Sequence, residues 1–192
     1  MNATEQIVKS YFEHINHLFT RSNIKGVGQC ELDLIGIKTE NGIRYFHIET
    51  TVSIADGFSK ITNKQYDPEE EKKRVESAKQ KKTAGYFIKK KFYSDSVLES
   101  YKKIGIDKNN LERIVVAWDF ETDAIEALSK RNIQCKRIKD IFQELADHIS
   151  LETANLDDDI LKTIQLLVRS KIKMPEILSN ATARRRKKER ES

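Results

Sequence analysis

The sequence predicts an α/β protein in which a mixed β-sheet is flanked by helices and followed by a helical C-terminal extension. Three observations predict this class. Apolar residues recur at helical spacing from Thr4 to Phe19. Two apolar runs then surround Glu40-Asn41-Gly42, which is a strong hairpin signal. Beyond residue 110 strand-like and helix-like segments alternate, which is typical of parallel strands with helices on their faces.

Each element is predicted from its own pattern. The first helix has Thr4 as its N-cap, and a long charged helix begins after Asp67-Pro68, because proline suits the first helical position. That helix is expected to bend near Gly85. In chain order, the predicted elements are a helix at 4–19, strands at 29–38 and 43–54, helices at 68–88 and 93–103, a strand at 111–118, a helix at 122–130, a strand at 133–138 and a helix at 140–149.

The 192 residues are expected to form one main domain over residues 1–150. A helical extension follows over 151–180, and residues 181–192 form a basic tail. The tail has six basic and two acidic residues, so it supplies +4 of the net charge of +5. Such a tail predicts a disordered arm that binds nucleic acid, although composition alone also fits a merely solvated end.

Composition excludes two classes of protein. The two cysteines, Cys30 and Cys135, lie far apart and lack metal-ligand spacing, so a disulfide scaffold is not expected and a cytoplasmic location is predicted. No apolar run approaches the roughly 20 residues that a membrane span needs. The first residues also lack the charged-then-apolar layout of a signal peptide.

Two acidic residues, Asp33 and Glu49, stand inside apolar strands, where an unpaired charge costs several kcal/mol. Their relation depends on the turn between the strands. A two-residue turn at 41–42 would place Asp33 opposite Thr50, with Glu49 on the other face. A three-residue loop at 40–42, ending in a left-handed glycine, would place Asp33 opposite Glu49. The two registers are mutually exclusive, because a slip of one residue turns every side chain to the other face.

If Asp33 and Glu49 face each other, a divalent cation explains them, since like charges placed directly opposite are destabilising. Two carboxylates, a backbone carbonyl and waters suit Mg²⁺ or Mn²⁺. The carbonyl of Thr50 is the expected third ligand. The register of one hairpin therefore decides whether the sequence predicts a metal site.

The segments Glu31-Leu-Asp33-Leu-Ile35 and His47-Ile-Glu49-Thr-Thr51 resemble the two motifs of the PD-(D/E)xK nuclease superfamily, over about residues 4–150. The resemblance implies a restriction-endonuclease-like fold and a Mg²⁺-dependent or Mn²⁺-dependent endonuclease. Such an enzyme would hydrolyse phosphodiester bonds of DNA in restriction, defence or repair. Asp33 and Glu49 would hold the metal, and a homodimer would allow both strands of a duplex to be cut.

One position departs from the family pattern, because Thr51 stands where the motif has its catalytic lysine. Threonine cannot supply a cation, so the lysine is expected elsewhere. The candidates are Lys60, Lys64 and Lys79, and Lys79 is chosen because it lies on the helix that follows the strands. The first helix is expected to add an acid, Glu13 in preference to Glu5.

The departure leaves other functions open. The chain could be a catalytically weakened or inactive nucleic-acid-binding protein on the same fold, or a subunit that docks into a complex through its C-terminal helices. If the protein binds nucleic acid, basic side chains are expected to contact the phosphates. The same lysine-rich pattern also fits a solvated helix whose lysines pair with its own acidic residues. The predicted contacts are Lys72, Lys73, Arg74, Lys79, Lys81 and Lys82 on one surface, Lys89, Lys90 and Lys91 on a second, and Arg184, Arg185 and Arg186 in the tail.

Overall fold

The structure is a computed structural model that describes residues 2–40, 42–52, 60–151 and 158–169. The helices of these ranges are α1 Ala3–His14, α2 Pro68–Lys72, α3 Arg74–Gln80, α4 Ala84–Tyr86, α5 Asp95–Lys103, α6 Thr122–Ser129, α7 Ile138–Leu151 and α8 Asp159–Arg169, with a π-helical segment at Phe87–Phe92 and a 3₁₀ turn at Lys108–Asn110. The strands are β1 Phe19–Lys25, β2 Glu31–Lys38, β3 Arg44–Thr51, β4 Lys60–Ile61, β5 Leu111–Ala117, β6 Asp119–Phe120 and β7 Ile133–Arg137.

Five strands form one mixed sheet in the order β1-β2-β3-β5-β7. The first three are antiparallel to one another, whereas β3, β5 and β7 run parallel. Two short strands, β4 and β6, form a separate parallel pair. The predicted α/β class with a mixed sheet flanked by helices is confirmed.

The two faces of β3 are covered by different helices. Phe46 lines the same cavity as Phe12 of α1, so the even-numbered side chains of β3 face that helix. His47 lies on the opposite face, because neighbouring side chains of a strand alternate. Its ring packs against Phe92 of the π-helical segment and Tyr101 of α5, with centroids 4.9 and 5.6 Å away.

The N-terminal region differs from the prediction. Asn2, and not Thr4, caps α1, because its side chain accepts from the Glu5 amide while Glu5 bonds back to Asn2. The helix ends at His14, and His17 turns the chain with a φ of 57°. β1 was not predicted, because its residues alternate only between exposed and half-buried and carry little apolar signal.

The long charged helix predicted at 68–88 is wrong, since the region is divided into α2, α3, α4 and the π-helical segment. Lys73 is extended, with a ψ of 122°, and separates α2 from α3. The next helix, α4, begins after Thr83, which caps it because the Thr83 side chain accepts a hydrogen bond from the Tyr86 amide. Gly85 packs so close to Tyr66 that an added Cβ would lie 2.8 Å from the Tyr66 nitrogen.

The remaining elements agree with the sequence more closely. Between residues 93 and 151 each predicted helix and strand is found within two residues of its expected bounds. Asp67 caps α2 and precedes Pro68, as predicted. No helix of the described ranges is long and apolar enough to cross a membrane.

The chain divides into two compact units, residues 1–143 and 144–192, with the boundary inside α7. In the second unit α8 buries Leu161 and Ile164. Only part of the predicted extension, residues 151 and 158–169, is described. The basic tail at 181–192, with Arg184, Arg185 and Arg186, lies outside the described residues.

Candidate active site

Asp33 and Glu49 are brought together by the register of the β2–β3 hairpin. Leu34 pairs with Ile48, so the next position in the same register sets Asp33 opposite Glu49. This is the register of the three-residue loop, which is therefore confirmed, and Gly42 at its end has a φ of 106°. Of the two registers that the sequence allows, the structure has the one in which the two acids face each other.

The ammonium group of Lys91 lies between the two acids. Its Nζ is 2.5 Å from Glu49 Oε2 and 3.5 Å from Asp33 Oδ1. It also donates to the backbone carbonyl of Glu31, at 3.4 Å. Lys91 lies in the π-helical segment, a feature that is frequent at functional sites. The site thus contains a lysine that joins both carboxylates.

The second oxygen of each acid is held by fixed donors of the protein. Asp33 Oδ2 accepts from the backbone amide of Thr50, at 2.9 Å. Glu49 Oε1 lies 2.7 Å from Nε2 of His47 and accepts weakly from the Asp33 amide, at 3.4 Å. One oxygen of each carboxylate is therefore anchored, and the other faces the shared cation.

A buried hydrogen-bond chain stands behind Glu49. His47 is fully buried, and its Nδ1 lies 2.6 Å from the hydroxyl of Tyr101, which is also fully buried. Because an ionised Glu49 can only accept, Nε2 of His47 carries a hydrogen, and Nδ1 of a neutral ring then accepts from Tyr101. The chain orients Glu49 from the side opposite Lys91.

We expect Tyr101→Phe to lower the free energy of unfolding by about 1–3 kcal/mol, because His47 Nδ1 would be left buried without a donor. Urea unfolding measures the loss. Tyr93→Phe is the matched control, since it deletes a hydroxyl whose bond to the Arg131 carbonyl is exposed, and it should cost less. Equal stability of Tyr101→Phe and the unsubstituted protein would contradict the hydrogen-bond chain.

The two acids are pushed toward different protonation states. Burial and the nearby Glu49 raise the pKa of Asp33 to about 7. Burial also acts to raise the pKa of Glu49, but the hydrogen bond from His47 and the Lys91 ammonium outweigh it and lower that pKa below its usual value. Burial acts to lower the pKa of Lys91, yet the charges of Glu49 and Asp33 raise it. Near neutral pH the surroundings therefore favour the ionised form of Glu49 and the protonated form of Asp33.

The donor set fits Mg²⁺ or Mn²⁺. The oxygens that Asp33 and Glu49 turn toward the Lys91 ammonium are of the kind that Mg²⁺ takes, since Mg²⁺ commonly binds through one or two carboxylates with waters and substrate phosphate. In an extended strand the N–H and C=O of one residue point to the same side, so the Thr50 carbonyl also faces β2. Within the described residues no cluster of three or more His, Cys, Asp or Glu could hold a metal. A metal at this site would have two carboxylates and one backbone carbonyl as its protein ligands.

Glu13 is not brought to the acids. It bonds to Lys9, at 3.1 Å, and to the hydroxyl of Thr20, at 2.6 Å. It belongs to α1, which packs on the sheet face opposite Glu49. Thr51 ends β3 and pairs with Ala117, on the same face as Glu49.

The three lysines considered as replacements for the motif lysine also lie elsewhere. Lys79 is exposed and pairs with Glu76 at 2.8 Å, Lys60 pairs with Asp119 at 3.5 Å, and Lys64 is exposed. In the described ranges the ion pairs of both acids are made by Lys91. The sequence predicts Lys91 only as part of a phosphate-binding surface, although the spacing of Lys91 from its apolar neighbours indicates an inward position. It lies four residues after the buried Phe87 and directly before the buried Phe92, hence near an apolar helix face.

The predicted basic surface of α2 and α3 is largely paired within itself. Lys72 bonds to Glu69, at 2.7 Å, and Lys73 forms an ion pair with Glu70. This is the pattern of a solvated helix. Lys81 is exposed and Lys82 half-buried, so both remain predicted contacts for nucleic acid.

Comparisons with known proteins add two distant structural likenesses. No protein-family model matches the chain, and no curated protein sequence matches it. A crystallised protein of unknown function is similar with a TM-score of 0.46 and 10% identity, covering 84% of this chain and 78% of the other. A repair endonuclease from Pyrococcus abyssi is similar with a TM-score of 0.38 and 13% identity, covering 71% of this chain and 47% of the other.

Proposed function

We propose that this protein is a metal-dependent nuclease that hydrolyses phosphodiester bonds of DNA. The observation that carries the proposal is the convergence of Asp33, Glu49 and Lys91 at one point of the sheet. The two sequence motifs contain the two acids but lack the lysine of the family pattern. In the folded chain a lysine from a neighbouring element completes the group of two acids and one lysine. Lys91 takes the place of the cation that Thr51 cannot provide.

The residues have separate roles. Asp33, Glu49 and the Thr50 carbonyl would hold Mg²⁺ or Mn²⁺, which when bound polarises a phosphate oxygen and lowers the pKa of its water. Lys91 orients the attacking water and neutralises the negative charge that develops on the phosphate. His47 keeps the Glu49 carboxylate fixed in direction, so that the ligand oxygen needs no reorganisation.

The test is a plasmid-nicking assay with Mg²⁺, Mn²⁺ or EDTA, repeated on single-stranded DNA and on RNA. We expect the unsubstituted protein to nick DNA only with a metal, and Glu49→Gln to reduce the rate by a factor of about 10²–10³. Glu112→Gln is the matched control, because Glu112 is a strand glutamate that pairs with Arg44, at 3.3 Å, away from the acids. Its rate should stay within twofold of the unsubstituted protein.

A second function is favoured by the same ion pairs. With the Lys91 ammonium between the carboxylates, the site is already charge-compensated and can persist without a metal. A protein of this kind would bind nucleic acid or a larger complex without cutting. If the unsubstituted protein nicks no DNA or RNA with either metal yet retains nucleic acid in a gel-shift assay, the nuclease proposal is refuted and this function replaces it.

A further inference from the structure

Asn23, in the middle of β1, has a left-handed backbone with a φ of 51°. Among the described residues two others besides glycine have a positive φ, His17 and Asn132. Both lie in connections, between α1 and β1 and between α6 and β7. Asn23 is therefore the one non-glycine residue of this set inside a strand, where a left-handed residue is costly and needs an explanation.

Its position in the sheet supplies that explanation. The pairs on either side of Asn23, residues 22 with 34 and 24 with 32, keep one register, so Asn23 lies opposite Asp33. This single pair is missing from an otherwise continuous ladder. The ladder between β2 and β3 also ends one residue away, at Leu34 and Ile48. Asp33 thus belongs to neither ladder, although both flank it.

The freed backbone of Asp33 is used by the site. Its amide donates to Glu49 Oε1, at 3.4 Å, while its carboxylate accepts from the Thr50 amide. A regular extended residue at position 23 would continue the ladder and hold the backbone of Asp33 within it. Asparagine adopts the left-handed conformation more readily than most residues, so an asparagine at position 23 suits a backbone with a positive φ.

We propose that Asn23 is a positioning residue for the metal site. Its left-handed backbone opens the β1–β2 ladder at Asp33 and lets the Asp33 amide and carboxylate turn toward Glu49 and the cation. The inference rests on the proposed function in one respect only, namely that the cation is a divalent metal. The geometric part concerns Asp33 and Glu49 alone.

The test compares Asn23→Gly with Asn23→Ala. Glycine adopts a positive φ freely, whereas alanine favours the extended backbone that would close the ladder. We expect Asn23→Ala to weaken Mg²⁺ or Mn²⁺ binding about tenfold by calorimetry, in the range typical of residues that support a metal ligand, and to slow DNA nicking. Asn23→Gly should stay within threefold of the unsubstituted protein.

Asn132→Ala and Asn132→Gly form the matched control pair, because Asn132 has a similar φ of 53° far along the chain from the acids. Asn132→Ala should cost comparable stability and leave metal affinity unchanged. Equal metal affinity of Asn23→Ala and the unsubstituted protein would overturn the proposal. A loss of metal affinity in Asn23→Gly as large as that in Asn23→Ala would also overturn the proposal, because the left-handed backbone at position 23 would then not be the cause of the loss.

A metal-free measurement separates this proposal from the proposed function. In an amide NMR spectrum the Asp33 signal should shift when Glu49→Gln is introduced, and that shift should shrink severalfold in the Asn23→Ala background. If the protein binds no divalent metal but this coupling is found, the nuclease proposal fails while the positioning of Asp33 stands. If the coupling is unchanged in the Asn23→Ala background, the positioning role is refuted whatever the metal data show.

Discussion

Lys91→Ala is expected to abolish metal-dependent cleavage and to destabilise the metal-free protein. Glu49 is only 1% exposed in its side chain and has the Lys91 ammonium 2.5 Å from Oε2. Removing one partner of a buried ion pair costs about 3–5 kcal/mol, since the remaining charge is left uncompensated. The nicking rate should fall by a factor of about 10²–10³, because the group that neutralises the transition state is lost.

Divalent metal should reverse the stability defect but not the loss of cleavage. The stability is expected to recover because a bound cation again compensates the negative charge of Glu49. Thermal unfolding of Lys91→Ala in EDTA and in Mg²⁺ measures this recovery. Lys103→Ala is the control, because Lys103 is exposed at the end of α5, is not among the predicted phosphate contacts, and should change neither property. If Lys91→Ala cleaves DNA at the rate of the unsubstituted protein, Lys91 has no role in cleavage and the prediction is wrong.

Asp33→Asn is expected to stabilise the metal-free protein at pH 8 while removing its metal binding. The pKa of Asp33 is raised from an ordinary value of 3.8 to about 7. Between those values the folded state binds its proton more tightly than the unfolded state, so the free energy of unfolding falls as the pH rises. Well above pH 7 the whole cost is present, roughly 4–5 kcal/mol at about 1.4 kcal/mol per pKa unit.

Asparagine resembles the protonated carboxyl and still accepts from the Thr50 amide, so the variant escapes this cost. Urea unfolding in EDTA should show Asp33→Asn more stable than the unsubstituted protein at pH 8, with the difference vanishing near pH 4. Added Mg²⁺ should stabilise the unsubstituted protein alone. A variant that is less stable than the unsubstituted protein at pH 8 would show that Asp33 is held mainly by its charge.

The sequence was sufficient for the hairpin and for its two possible registers, because both depend on local chemistry, whereas the choice between the registers came from the structure. A glycine at the end of a three-residue loop sets the register, and the register alone fixes which side chains face each other. The helices and strands after residue 93 follow from ordinary hydrophobic periodicity. These parts need no knowledge of distant contacts.

The lysine and the edge strand could not be predicted in the same way. Lys91 reaches the acids only because the charged region before it breaks at Lys73 and at Thr83, which places the π-helical segment over β3. Within the run of three lysines, the spacing of Lys91 from Phe87 and Phe92 indicates only that Lys91 lies near an apolar helix face, and it does not indicate a contact with the acids. β1 is polar and pairs with β2 alone, so tertiary pairing, and not its own pattern, makes it a strand.

β1 lies at the border of the sheet, where unpaired backbone groups form a template for the strand of another molecule. The left-handed turn at Asn23 interrupts that row of donors and acceptors at its centre. Arg21 and Lys25, both exposed, place charges on either side of the interruption. The border of the sheet is therefore poorly suited to pairing with a strand of another molecule.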